Sequence, residues 1–109
     1  MIKTPKYYEI TDLARMADFA AAQAQLQSGE VLLTPCERDE VLGNIAFYAG
    51  DQQGAVEHFE AAMRRDGNFD CARYQYLVGV KAETKGNLAE ASDRYNAAIA
   101  IEPTFVDAY

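Results

Sequence analysis

Small and aromatic apolar residues recur at helical spacing in two separate stretches of the chain. Ala55, Phe59 and Ala62 are separated by four and then three residues, and the same arrangement returns 36 residues further on. Residues at these intervals lie on one face of an α-helix, so each set forms an apolar stripe that is suited to burial. The pattern predicts one helix near 52–66 and another near 88–101.

The similarity extends to a longer repeat when residues 36–73 are compared with residues 72–109. Eight of these positions are identical, and they are Gly43/Gly79, Ala46/Ala82, Gly50/Gly86, Ala55/Ala91, Ala61/Ala97, Ala62/Ala98, Phe69/Phe105 and Ala72/Ala108. Self-similarity at a fixed interval of this length is typical of proteins built from stacked supersecondary units.

Each copy reads as a helix, a tight turn and a second helix. The turn glycine is followed by a residue that caps helices well, Asp51 in the first copy and Asn87 in the second. Gly43 and Gly79 lie inside the first helices, where glycine costs about 1 kcal/mol relative to alanine. Their presence predicts a close approach of the following helix. The four predicted helices are 36–49, 52–66, 70–85 and 88–101.

This arrangement resembles the tetratricopeptide repeat. The family pattern has a leucine and a glycine in the first helix, a glycine at the turn, then small, aromatic and small residues, and a closing proline. The first copy has Leu42, Gly43, Gly50, Ala55, Phe59 and Ala62 with Gly67 at the proline place, and the second has Val78, Gly79, Gly86, Ala91, Tyr95, Ala98 and Pro103. The resemblance implies an all-α, tetratricopeptide-like α-α superhelix of about two repeats, 34–69 and 70–105, with a short C-terminal tail.

Residues 1–33 do not align with the repeat. Thr11 is predicted to cap a single helix that runs to Ser28 and stops at Gly29. Its apolar stripe consists of Ile10, Leu13, Ala17, Ala20 and Ala24. We interpret this segment as an N-terminal capping helix on the first repeat, and the alternative is a self-association element.

The net charge of the chain limits the kinds of molecule that it is expected to bind. The formal net charge is −7 at pH 7, and the only basic cluster is Arg64-Arg65. Because nucleic acids and anionic membranes require a basic face, we expect neither as a partner. We find no secretory signal and no run of about 20 apolar residues that would span a bilayer, so we expect a cytoplasmic protein. In that compartment Cys36 and Cys71 are predicted to be free thiols.

Candidate catalytic and metal residues are sparse. The single histidine, His58, has no partners at spacings that suit a catalytic triad or a zinc site. Oxygen-bearing side chains alternate from Asp66 to Asp70, as in a calcium loop, but Cys71 stands where the turn needs glycine and Leu77 where a glutamate should follow. We therefore predict no enzymatic activity, no cofactor and no bound metal.

The resemblance also implies a binding surface, since the first helices of tetratricopeptide repeats line a concave groove that holds a peptide or helix. The residues that helical spacing places on this face are Glu37, Glu40, Asn44, Phe47, Tyr48, Arg73, Tyr76, Val80 and Glu83. An acidic and aromatic groove suits a basic or apolar segment of another protein. The alternative interpretation is a face that is simply solvated.

The sequence therefore favours a protein-protein interaction module, either an adaptor or a chaperone-like protein. The alternative is a self-assembling scaffold that acts mainly through homo-oligomerisation. An open apolar repeat face needs a polar cap to stay soluble, so we expect either a homodimer with Phe105 and Tyr109 as its contacts or a longer native chain that covers this face.

Overall fold

The protein is described by a computed structural model that covers residues 3–29 and 32–104. In this part of the chain the structure has six α-helices and no β-strand, which confirms the predicted all-α class. The chain divides into two compact units, Met1–Phe69 and Asp70–Tyr109. The first unit holds α1 (Pro5–Arg15), α2 (Phe19–Gly29), α3 (Pro35–Tyr48) and α4 (Gln52–Arg65), and the second holds α5 (Ala72–Thr84) and α6 (Leu88–Ile101).

The hairpin α3–α4 forms where the sequence predicted one, because its ends are well capped. The Thr34 hydroxyl accepts a hydrogen bond from the Glu37 N–H, and the Glu37 carboxylate accepts one from the Thr34 N–H, so the two residues form a capping box. At the turn, Gly50 has a φ of +87°, which glycine adopts without steric cost. Asp51 then caps α4 by accepting a hydrogen bond from the Gly54 N–H at 3.0 Å.

The hairpin α5–α6 repeats the same turn, with Gly86 at a φ of +79°. Asn87 occupies the N-cap position of α6, as predicted. However, its side chain makes no capping hydrogen bond.

Glycines inside α3 and α5 permit the close helix approach that the sequence predicted. A Cβ atom built on Gly43 would lie 2.5 Å from Cε1 of Phe59, and one built on Gly79 would lie 2.6 Å from Cε1 of Tyr95. Both distances are far below van der Waals contact. An aromatic ring of the second helix therefore occupies the space above each glycine.

The prediction of one long N-terminal helix is wrong. The chain instead forms two helices, α1 and α2, which are separated at Met16, Ala17 and Asp18. Ala17 has a φ of 64°, in the left-handed region, and the Asp18 carboxylate accepts a hydrogen bond from the Ala21 N–H at 3.3 Å. A left-handed turn between helices is usually recognised by a glycine, and this turn has none, so the sequence pattern did not indicate that the helix ends here.

The N-terminal hairpin α1–α2 has the same design as α3–α4, displaced by 33 residues. Ala17 and Gly50 are the left-handed turn residues, and Asp18 and Asp51 follow them with the same capping role. Side-chain hydrogen bonds join residues of α1 and α3 that are also 33 apart, such as Tyr7–Glu40 and Thr11–Asn44. Equivalent positions of the two first helices therefore face each other, as in stacked helical repeats.

Two sets of buried residues stabilise the first unit. One cluster joins α1, α2 and α3, and its buried members are Tyr7, Ile10, Ala14, Ala22, Leu26, Val41 and Ile45. On α4, Ala55, Phe59 and Ala62 are fully buried, as their stripe predicted. Across the described ranges, none of the helices has the length and apolar character required to cross a membrane.

Candidate protein-binding face

Three of the predicted groove residues form a row on α3 that the N-terminal helix covers. Glu37, Glu40 and Asn44 have exposed fractions of 8%, 3% and 0%. We expected these side chains to line an open groove. Instead, α1 packs on α3, and residues of α1 and its N-cap form hydrogen bonds with all three side chains. We refer to Glu37, Glu40 and Asn44 as the α3 face.

Glu37 ties the start of α1 to the start of α3. Its carboxylate accepts a hydrogen bond from the Thr4 N–H at 2.9 Å and another from the Thr34 N–H at 3.0 Å. Burial alone would raise the pKa of this carboxyl group. The donated hydrogen bonds of Thr4 and Thr34 and the charge of Lys3 outweigh burial, and they hold the Glu37 pKa below its ordinary value of 4.5.

Glu40 is the acidic centre of the α3 face. The Tyr7 hydroxyl donates a 2.5 Å hydrogen bond to its Oε2, and the Lys3 ammonium lies 3.1 Å from its Oε1. Partial burial opposes the charge on Lys3, but the attraction and hydrogen bond of Glu40 leave the lysine pKa above its ordinary value of 10.5. A buried carboxylate is thus paired with a phenolic group from α1 and a basic group from the segment before it.

Asn44 completes the row with its amide group. Its Nδ2 donates to the Tyr7 hydroxyl at 3.2 Å and to the Thr11 hydroxyl at 3.1 Å. Its Oδ1 is buried and finds no hydrogen-bond donor among the described residues. The α3 face therefore recognises hydroxyl groups of α1 and retains one unpaired buried acceptor.

The remaining predicted residues of α3 lie near its C-terminal end. Phe47 and Tyr48 are half-buried, and their rings pack edge to face with centroids 5.2 Å apart. Arg15 reaches Tyr48 from α1, with its Nε 3.4 Å from the phenolic oxygen. The contact with α1 thus extends along α3 beyond the polar row.

The predicted residues of α5 belong to the second unit and differ in exposure. Arg73 is buried, Tyr76 and Val80 are half-buried, and Glu83 is exposed. The rings of Tyr76 and Tyr95 lie 5.8 Å apart, and the Tyr95 hydroxyl donates a 2.7 Å hydrogen bond to Glu83. Glu83 is therefore the most exposed member of this set, and it contacts the aromatic pair through Tyr95.

The remaining chemistry-bearing side chains are dispersed. Burial, followed by the charges of Glu40 and Asp66, raises the pKa of the Cys36 thiol and disfavours its reactive thiolate. Cys71 is buried and caps α5 by accepting a hydrogen bond from the Tyr74 N–H. Both cysteines are free thiols, as predicted, and the described residues contain no cluster of His, Cys, Asp or Glu that would hold a metal ion.

The predicted site and the observed contacts differ in two further respects. Phe105 and Tyr109, the predicted self-association contacts, lie outside the described residues. Lys3, Thr4, Tyr7 and Thr11 were not among the predicted site residues, yet they make the contacts to the α3 face. Thr4-Pro5 matches Thr34-Pro35 at the start of α3, and this was the sequence signal for a helix that begins there.

We compared the chain with protein-family models, with curated protein sequences and with solved structures. None of the three comparisons gives a match.

Proposed function

We propose that this protein is a protein-protein interaction module of the tetratricopeptide type, which binds a helix or an extended peptide of a partner protein. The observation that supports it most is the α3 face, where residues that sequence spacing selected as a binding row hold a helix. Three side chains on one helix face pair with Thr4, Tyr7 and Thr11 of the opposing segment. The chemistry of this face is therefore suited to helix recognition.

The charge of the row agrees with the predicted preference for a basic or apolar segment. Glu37 and Glu40 are acidic, and the segment that covers them brings Lys3 and an aromatic residue, Tyr7. Charge complementarity of this kind selects a partner and fixes its register more than it adds affinity. We extend the proposal to α5, where Val80 and Glu83 offer accessible surface.

Site-specific photo-crosslinking in source lysate tests this function. A photoreactive residue at Glu83, on the proposed binding surface, is compared with one at Glu57, an exposed position on α4. We expect a partner protein to crosslink from position 83 and not from position 57. Equal crosslinking from both positions, or none from either, would count against the adaptor.

Self-assembly is the alternative that the same experiment addresses. Crosslinks from position 83 that join only copies of this chain would favour the scaffold over the adaptor. Sedimentation at micromolar concentration, repeated with Phe105 and Tyr109 changed to serine, measures that activity directly. A dimer lost in the serine variant would support the scaffold.

A further inference from the structure

The contacts between α1 and α3 define the kind of helix that the α3 face accepts. Tyr7 and Thr11 are four residues apart, so they lie on the same side of α1, and they contact Glu40 and Asn44. Lys3 belongs to the segment before α1 and places its ammonium group beside Glu40. The face therefore takes a basic group, a phenolic hydroxyl and an aliphatic hydroxyl in that order.

Apolar side chains accompany this polar row. Ile10 and Ala14 of α1 are fully buried in one cluster with Val41 and Ile45 of α3. Ile10 is three residues after Tyr7, and Ala14 is seven residues after it, so both share the side of α1 that meets α3. A helix that replaced α1 would need an apolar residue at each of these two places.

The match between α1 and the α3 face is incomplete. Asn44 Oδ1 and Thr4 Oγ1 are buried without a hydrogen-bond donor among the described residues. A buried polar atom that lacks a partner costs free energy, so α1 is not the most favourable helix for this face. The opposite side of α1 is exposed at Tyr8 and Asp12, and among the described residues α1 packs mainly on α2 and α3.

We propose that α1 is an intramolecular competitor for the α3 face. Its release admits a partner helix with a tyrosine near its start, an apolar residue three positions further on and a hydrogen-bonding side chain next to that, preceded by a basic residue in the segment before the helix. The proposal rests on the proposed function in one respect, namely that a partner uses this face. An internal occupant lowers the apparent affinity of that partner by the fraction of molecules in which the face is open.

A labelled synthetic peptide of residues 3–16 serves as the probe, and full-length chains serve as receptors. The substitution Lys3→Glu in the receptor turns the ion pair with Glu40 into a repulsion and removes no core atom. We expect this receptor to bind the peptide at least tenfold more tightly than the unchanged chain does. Hydrogen exchange of the α1 amides reports whether the internal helix has been released.

Matched variants locate the binding. A receptor with Met16→Ala, altered at a 70% exposed side chain after the end of α1, should bind the peptide as weakly as the unchanged chain. A peptide with Tyr7→Ala should lose binding to the Lys3→Glu receptor, and a peptide with Met16→Ala should keep it. If Lys3→Glu leaves α1 protected from exchange, the receptor variant Tyr7→Ala, which removes both hydrogen bonds of that hydroxyl, replaces it.

Two results would overturn the proposal. One is equal peptide binding by the unchanged and the released receptors, and the other is no binding by a receptor that exchange shows to be released. The peptide assay needs no natural partner, so it can succeed where crosslinking from position 83 finds none. That outcome would contradict the proposed function and would still support the exchange of α1 for another helix on the α3 face.

Discussion

The hairpins α1–α2 and α3–α4 have the same form but fill the space between their helices in different ways. In α3–α4, Gly43 on the first helix leaves room for the ring of Phe59 on the second. At the equivalent places of α1–α2, a displacement of 33 residues brings Ile10 and Leu26, which lie together in the apolar cluster. The crossing of two helices can therefore be filled by one large ring above a glycine or by two aliphatic side chains of middle size.

The third hairpin, α5–α6, adds a second contrast. Gly79 and Tyr95 repeat the packing of glycine against an aromatic ring, but Phe59 is fully buried whereas Tyr95 is half-buried and donates its hydroxyl to Glu83. The same crossing thus serves as an apolar core in one hairpin. In the other it supports a polar contact at the surface.

The largest effect is expected at Ile10, and it tests whether this side chain packs in the core of α1–α2. Ile10 has no exposed surface, and truncation of such a residue leaves a cavity, so we expect Ile10→Ala to destabilise the fold by about 2–5 kcal/mol. Urea unfolding followed by circular dichroism measures the change. Leu32→Ala, at a side chain that is 61% exposed, should stay within about 0.5 kcal/mol. Similar losses for the two variants would show that α1–α2 does not pack as described.

The next largest effect is expected where α3 crosses α4, in the space above Gly43 that the Phe59 ring occupies. Gly43→Ala overlaps the Phe59 ring and should cost about 1–3 kcal/mol, despite the better helix propensity of alanine. Phe59→Leu supplies space for the added methyl group, so the double variant should lose less than the sum of the single losses. A double-mutant cycle in urea should give a coupling of about 0.5–3 kcal/mol.

Gly67→Ala provides the control for that cycle, because a Cβ at this position would meet no atom within 4 Å. This variant should unfold close to the unchanged chain, alone or combined with Phe59→Leu. Strict additivity between Gly43→Ala and Phe59→Leu would mean that the glycine does not provide the space for the ring.

Most of the repeat could be predicted from the sequence, because its determinants are local. Turn glycines, N-caps and apolar stripes act within a few residues, and they located α3 to α6 closely. The break at Ala17 could not be predicted, because alanine rarely adopts a left-handed conformation. Helical spacing selected Glu37, Glu40 and Asn44 as one row, whereas their burial depends on a segment about 33 residues away in sequence.

A smaller effect is expected from exchanging the turn residues of the two hairpins. Gly50→Ala forces a side chain into a φ of +87° and should cost about 1 kcal/mol, whereas Ala17→Gly relieves the strain at a φ of 64° and should gain somewhat less than about 1 kcal/mol. Thermal unfolding measures both changes. Gly86→Ala should behave like Gly50→Ala, since it has the same type of turn. A loss of stability in Ala17→Gly would show that this turn is not strained.

The smallest expected effect concerns the polar contact that distinguishes α5–α6 from α3–α4. Burial, and then the hydrogen bond and charge of Glu83, raise the pKa of Tyr95 from 10 to about 12. Because the folded state holds this proton more tightly than the unfolded state, the contribution to stability is complete below pH 10 and disappears as the pH rises toward 12. We therefore expect the urea midpoint of the unchanged chain to fall more steeply between pH 10 and 12 than that of Tyr95→Phe.

Glu83→Gln distinguishes the effect of the Glu83 charge on the Tyr95 pKa from the effect of burial. It removes the charge and keeps an acceptor for the Tyr95 hydroxyl, so its profile should lie between those of the unchanged chain and Tyr95→Phe. The measurement is the difference between variants at each pH. Identical profiles for the unchanged chain and Tyr95→Phe would show that this hydroxyl contributes nothing to the hairpin. The contrast with Phe59 would then be one of position alone.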